Sequence, residues 1–148
     1  MTFAFWTRKL LLLVTAVGLA GAVAIVHRRA NSDSAPRGAA LYAEHCAACH
    51  GADLEGAPDW KSARPSGRLP APPHDAAGHT WHHGDALLFR IVKEGTAAVV
   101  GNGYESDMPA FEGVLEDAEI RDVLAYIKST WPERERRLQE RATMAESD

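Results

Sequence analysis

The sequence predicts an all-α protein, a small helical domain preceded by one transmembrane helix. Residues 10–26 form an uncharged, almost wholly apolar run. Residues 84–94 and 117–130 repeat apolar side chains at helical spacing, and residues 35–46 are rich in good helix formers. With 148 residues there is room for one domain of ordinary size and a segment at each end. The expected divisions are 1–30 as anchor, 31–37 as linker, 38–131 as the domain and 132–148 as a charged tail.

The run from Leu10 to Val26 spans about 26 Å as a helix, slightly short of the ~30 Å hydrocarbon core, and Phe3, Phe5 and Trp6 can seat one end in the interface. It competes with a cleavable signal peptide. Arg8 and Lys9 make a positive leader, and Ala20-Gly21-Ala22 and Ala22-Val23-Ala24 both resemble cleavage sites. The length of the run and the closely following Arg28 and Arg29 favour an uncleaved anchor. The flanking charges balance and do not orient it.

The polar stretch "NSDSAPR" over 31–37 reads as a linker. The first helix of the domain, Ala35 to Cys46, turns Leu41 and Tyr42 to its apolar side; Gly38 would weaken it, so its use is close approach by another element. About thirty residues rich in Pro and Gly follow, a loop whose length implies that it wraps something. The segment 84–94 reads as a helix with Leu87, Leu88, Ile91 and Val92 inward, stopped by Gly95. Turns lead to a last helix over 117–130 with Ile120, Val123, Leu124 and Ile127 buried, ended by Trp131-Pro132. The tail, charged on nearly every side, is expected to be a frayed or solvated helix.

Both cysteines of the chain lie in "EHCAACHG", as Cys46 and Cys49, directly before His50. A redox disulfide would need a strand leading into a long helix, which the flanks do not show. A structural zinc site would need a second ligand pair, which is absent. Chance does not account for the Cys-x-x-Cys-His register. The motif points to one covalently attached haem c, each thiol adding to a vinyl group and His50 delivered to the iron.

One histidine leaves the opposite axial position open. Of the three methionines, Met1 is at the far end and Met144 lies in the tail, whereas Met108 sits in "SDMPAF" between two helices with a proline stiffening its loop. A thioether is a soft, neutral ligand that favours ferrous iron. Cys46, Cys49, His50 and Met108 are therefore the expected cofactor-binding residues, with His50 and Met108 on the metal.

With "CAACH" near the end of a first helix, "MPAF" some sixty residues later and "VLAYIKS" in a closing helix, the chain resembles a class I cytochrome c over roughly residues 36–131. The resemblance implies a small fold around the haem, its first and last helices crossing at Gly38 and Tyr42 against Leu124 and Tyr126. It implies a proline carbonyl, from Pro70 or Pro72, accepting the ring N–H of the proximal histidine. Glu116 departs from the Ser, Thr or Asp that often starts the last helix, and implies a weaker cap. Haem attachment in bacteria takes place outside the cytoplasmic membrane, which places the domain on the periplasmic side under either reading of the N-terminus.

With both axial positions filled, chemistry at iron is limited to one-electron exchange. The expected function is that of an electron carrier, not an enzyme in itself, working between respiratory, oxidase or dehydrogenase partners as a free carrier or a subunit of a complex. An enzyme or gas-binding protein would need the Met108 position open. His74, His79, His82 and His83 read as solvated loop residues or hydrogen-bond partners of the haem propionates, with copper or zinc handling as a further alternative. All 20 acidic residues lie after residue 30, against 12 of the 16 basic ones, a balance of −8 that argues against nucleic acid. Glu105, Asp107 and Glu112 flank Met108 and lead to the expectation of a partner with a basic docking patch.

Overall fold

The computed structural model of the chain describes residues 34–146, and the apolar run at 10–26, with the expected anchor, lies outside the described residues. Among the described residues every regular element is a helix, and none is long and apolar enough to cross a membrane. Helix α1 covers residues 34–45. It takes in residues 34–37 of the expected linker, where Arg37 forks onto the carboxylate of Asp122 at 2.9 and 3.3 Å.

A one-turn helix, α2 (Ala47–His50), follows at once. The chain then runs without regular structure to a 3-10 turn at Thr80–His82. This long loop is tied back on itself, with Ala57 N–H on the Ala71 carbonyl at 2.9 Å and His74 N–H on that of Leu54 at 2.8 Å. Helix α3 (Asp85–Glu94) and the short α4 (Thr96–Val100) meet at Gly95, whose φ of 84° ends one and begins the other. Of the four residues expected inward on α3, Leu88 is buried and Leu87, Ile91 and Val92 are half-buried.

Helix α5 (Asp117–Thr130) buries Ile120, Val123, Leu124 and Ile127, the stripe its sequence predicts. Each such side chain contributes about 1.5–3 kcal/mol. The weak start expected at Glu116 is offset by a capping box, in which Glu119 accepts the Glu116 backbone N–H at 2.8 Å. Helices α1 and α5 cross where Gly38 meets the backbone of Asp122 and the Cβ of Tyr126, so closely that any Cβ on Gly38 would overlap the Asp122 carbonyl. The glycine has the use expected, and Tyr126 is a partner as expected, but the backbone it meets is that of Asp122 and not Leu124.

The core has two parts. Tyr42, Leu54, Trp81, Val123, Ile127 and Trp131 form one. Leu88, Phe111, Leu115, Ile120 and Leu124 form the other, and Leu41 packs against both.

The charged tail is helical as expected, but packed rather than frayed or solvated. It forms α6 (Glu133–Ala145), packed on the 3-10 turn and α3, with Glu135 and Gln139 buried at 6% and 3% exposure. Hydrophobic periodicity could not announce this contact because the residues it buries are Glu135 and Gln139, with Leu138 half-buried against the Tyr42–Trp131 part of the core. Gln139 Nε2 reaches Asp85 Oδ1 at 2.7 Å and Thr143 Oγ1 at 2.9 Å.

Candidate functional site

The junction of α1 and α2 sets the geometry of the cysteine motif. Cys46 N–H still bonds the Tyr42 carbonyl at 2.9 Å, and the Cys46 carbonyl then accepts from both Cys49 N–H at 3.1 Å and His50 N–H at 3.0 Å. One turn of helix therefore separates the two thiols, and His50 follows on the next residue. Gly51 stops the turn with a φ of 83°, and the Tyr42 hydroxyl donates to its carbonyl at 2.9 Å. The thiols are free, with Cys46 half-buried and Cys49 exposed. Burial, and secondarily the neighbouring Cys49, pushes the Cys46 thiol up to about 11.

His50 is 8% exposed, and its Nδ1 lies 2.8 Å from the carbonyl oxygen of Pro72. A carbonyl can only accept, so Nδ1 carries the proton and Nε2 keeps its lone pair. Burial lowers the pKa of the ring and so favours the neutral form that a metal ligand requires, while the bond to Pro72 opposes this in part. Of the two prolines open to the sequence reading, Pro72 makes the contact.

Met108 packs against the Leu88–Leu124 part of the core, while Cys46 packs against the Tyr42–Trp131 part. The Thr96 hydroxyl donates to the Met108 sulfur at 3.1 Å, and the Ser106 hydroxyl accepts the Met108 backbone N–H at 3.1 Å. The loop is thus held on both sides of its thioether. Thr96 was invisible to sequence reasoning because nothing local marks a hydroxyl twelve residues away as a sulfur partner.

The histidines divide. His74 stacks on His50 with ring centroids 4.0 Å apart and 23° between planes, and its Nδ1 lies 2.8 Å from Thr80 Oγ1. Burial first, then the nearby His50, pushes His74 down to about 3. Its carbonyl accepts the Trp131 indole N–H at 2.6 Å, so the residue read as a helix stop also ties the loop to the core. His79 stacks on Trp60 at 5.4 Å and His82 on Trp81 at 3.7 Å. Among the described residues no three His, Cys, Asp or Glu side chains are grouped to hold a metal ion, so the copper or zinc alternative gains no support here.

The acidic residues beside Met108 are not bare. Asp107 accepts from Arg68 Nη1 at 2.7 Å and from Arg64 Nη1 at 3.2 Å, and Glu105 accepts from Arg68 Nε at 3.3 Å. The sequence reading assigned these carboxylates to a partner; the long loop supplies counter-charges of its own.

The site fits a covalent haem. Two free thiols stand one helical turn apart, and a buried neutral imidazole keeps one nitrogen for a metal. A thioether borders the apolar core. The Trp81 indole N–H is buried without a partner among the described residues, a donor suited to the acceptor oxygens of a bound group.

Comparison with known proteins agrees. The family model described as cytochrome c matches residues 35–131. A gluconate 2-dehydrogenase cytochrome c subunit of Pantoea cypripedii is 30% identical over 100 residues, which is 67% of this chain and 21% of that one. The match thus spans about a fifth of the length of that curated relative. No solved structure matches at a comparable level of significance.

Proposed function

The chain belongs to the cytochrome c family, whose cofactor is covalently bound haem c, and from that premise we propose that it is a monohaem electron carrier tethered to the outer face of the bacterial cytoplasmic membrane. Cys46 and Cys49 carry the thioethers. His50 and Met108 would supply the iron's protein ligands. When bound, the haem supplies a one-electron ferric–ferrous couple. The observation that carries this reading is the His50–Pro72 hydrogen bond, which fixes a neutral ring with Nε2 left as the donor.

The residues around the site act by holding it still. Pro72 sets the tautomer and orientation of His50, while Thr96 and Ser106 hold the methionine loop from either side of its sulfur. A site that changes shape little between oxidation states needs little reorganisation, and this suits a carrier better than a catalyst. The alternative, an enzyme or gas-binding protein, requires Met108 to leave. Its contacts with Thr96 and the core oppose that.

Tethering rests on the apolar run at 10–26. Haem attachment, which in bacteria takes place outside the cytoplasmic membrane, supports a place for the domain on the periplasmic side, within a respiratory chain. The partners are redox proteins, and the relative's description as a dehydrogenase subunit supports service to a dehydrogenase complex. A basic patch on the partner remains compatible with the acidic domain. Steering by Glu105 and Asp107 is weaker than bare carboxylates would give, because Arg64 and Arg68 already engage them.

The test is an optical spectrum and redox titration of the purified protein. Low-spin spectra in both states, a single one-electron wave and no carbon monoxide adduct are expected. A high-spin ferrous form that takes up carbon monoxide would favour the alternative.

A further inference from the structure

The long loop after the cysteine motif contains a tight turn in which Gly67 N–H bonds the Arg64 carbonyl at 2.8 Å and Arg64 N–H bonds the Arg68 carbonyl at 2.9 Å. Gly67 adopts a φ of 85° there, open to glycine at no cost. The turn brings Arg64 and Arg68 together across the three residues between them. Both then reach the methionine loop. Asp107, the residue directly before Met108, has one carboxylate oxygen on each arginine, and Glu105 takes a second nitrogen of Arg68. The ties join segments 37 to 43 residues apart. These hydrogen bonds push the Arg68 guanidinium above its ordinary pKa.

We propose that Arg64 and Arg68 are positioning residues for Met108: they clasp the methionine loop shut through Asp107 and Glu105 and set how readily the thioether leaves the iron. This rests on Met108 being the iron ligand. An isolated exposed ion pair is worth little. Here, however, Asp107 is engaged on both oxygens and Arg68 through two nitrogens, a forked geometry that fixes orientation as well as charge. The backbone beside Met108 is otherwise tied locally by the Ser106 hydroxyl, two residues away. Local opening of such a loop is governed by few contacts, so removing the clasp acts on opening far more than on global stability.

All four side chains are 40–66% exposed, so salt reaches them. The Debye length falls from about 8 Å at physiological ionic strength to about 3 Å at 1 M, and the clasp weakens accordingly. The structure therefore assigns to this loop an ionic-strength dependence of its own, independent of any partner.

The experiment uses the full-length haem protein and follows uptake of cyanide, which at neutral pH arrives as the uncharged acid and competes with Met108 for ferric iron. The sulfur-to-iron band in the far red is recorded first, in the native protein and in Arg64→Gln/Arg68→Gln. The double variant should keep the band and the native helical content while binding cyanide about tenfold faster, the effect of a few exposed contacts on an opening equilibrium. Native uptake should speed up with salt; that of the variant should stay flat. A control, Arg90→Gln/Arg137→Gln, removes the same charge from exposed pairs within α3 and α6, with Glu94 and Glu133, and should leave uptake unchanged. An intact band with equal rates in native and clasp variants overturns this proposal alone, as does an equal rise in the control. A native protein without the band overturns Met108 ligation and the clasp together.

Discussion

His50 Nδ1 lies 2.8 Å from the carbonyl oxygen of Pro72, and Gly56 stands against the same proline. Gly56 N–H bonds the His50 carbonyl at 2.7 Å, its φ is +71°, and a Cβ added there would run into the Pro72–Pro73 peptide. The glycine thus touches both ends of the hydrogen bond that orients the imidazole. Gly56→Ala should cost about 1–3 kcal/mol through backbone strain and crowding. It should also displace the Pro72 carbonyl, make His50 a poorer donor and raise the reduction potential. Urea melts and redox titration of the variant check this. A native potential beside a lowered urea midpoint would confine Gly56 to stability.

Met108→Ala should abolish the sulfur-to-iron band and open the iron to carbon monoxide in the reduced state. Thr96→Val should keep the band but lower the potential, because a sulfur relieved of the Thr96 hydrogen bond donates more strongly to ferric iron. Redox titration of both variants decides whether the hydroxyl tunes the ligand or merely packs beside it.

Gly38→Ala places a methyl group into the backbone of Asp122 at the α1–α5 crossing. Helices forced apart there lose the contact between Tyr42 and Tyr126, whose ring centroids are 5.5 Å apart. The expected loss is about 1–3 kcal/mol or more, the range for an overpacked core. Chemical denaturation measures it, and a midpoint equal to native would show that the helices can separate freely.

The parts of this molecule that were legible in sequence are local or periodic. Cys46, Cys49 and His50 fall within five residues, Met108 is marked by its proline, and Ile120, Val123, Leu124 and Ile127 follow the helical repeat. What sequence did not reveal depends on contacts made across the chain. Choosing Pro72 over Pro70 needs the register of a loop with no repeat, and Arg64 and Arg68 meet Asp107 about forty residues away. His74 was grouped with neighbours of the same type, yet it alone of them stacks on His50. Even Gly38, flagged correctly as a close approach, needed coordinates to show that it meets the backbone of Asp122.

Acid should loosen the histidine-rich segment. Burial first lowers His79 and His83, and neighbouring histidines add to this, with Glu146 opposing at His83. Their folded pKa values lie below the ordinary 6.5, so as pH falls through 6.5 the unfolded chain takes up protons before the folded one does. Their contribution is therefore complete above 6.5 and is lost progressively below it. Urea midpoints across that range should fall toward acid in the native protein and fall less steeply in His79→Gln/His83→Gln. Parallel slopes would assign the acid sensitivity to other groups.

Helix α6 acts as a brace for the start of α3. The first turn of α3 has Gly84 at its cap position and no side-chain cap of its own. Instead the Asp85 backbone N–H bonds Thr143 Oγ1 at 3.1 Å and the Ala86 N–H bonds Glu146 Oε2 at 3.0 Å. The cap is thus supplied from the opposite end of the domain. Gln139 joins the two, donating to Asp85 and Thr143, while Lys128 neutralises Asp85 at 2.8 Å. Gln139→Ala removes the buried amide that joins Asp85 to Thr143, and the expected cost is about 0.5–1.5 kcal/mol. Removing residues 133–148 should cost more and speed amide exchange in the first turn of α3. The sulfur-to-iron band should survive, since none of Cys46, Cys49, His50 or Met108 lies on α6. Hydrogen exchange and the far-red spectrum of the shortened protein separate these effects. Unchanged exchange at Asp85 and Ala86 would mean that water caps the helix as well as α6 does, and loss of the band would make α6 part of the iron site's support.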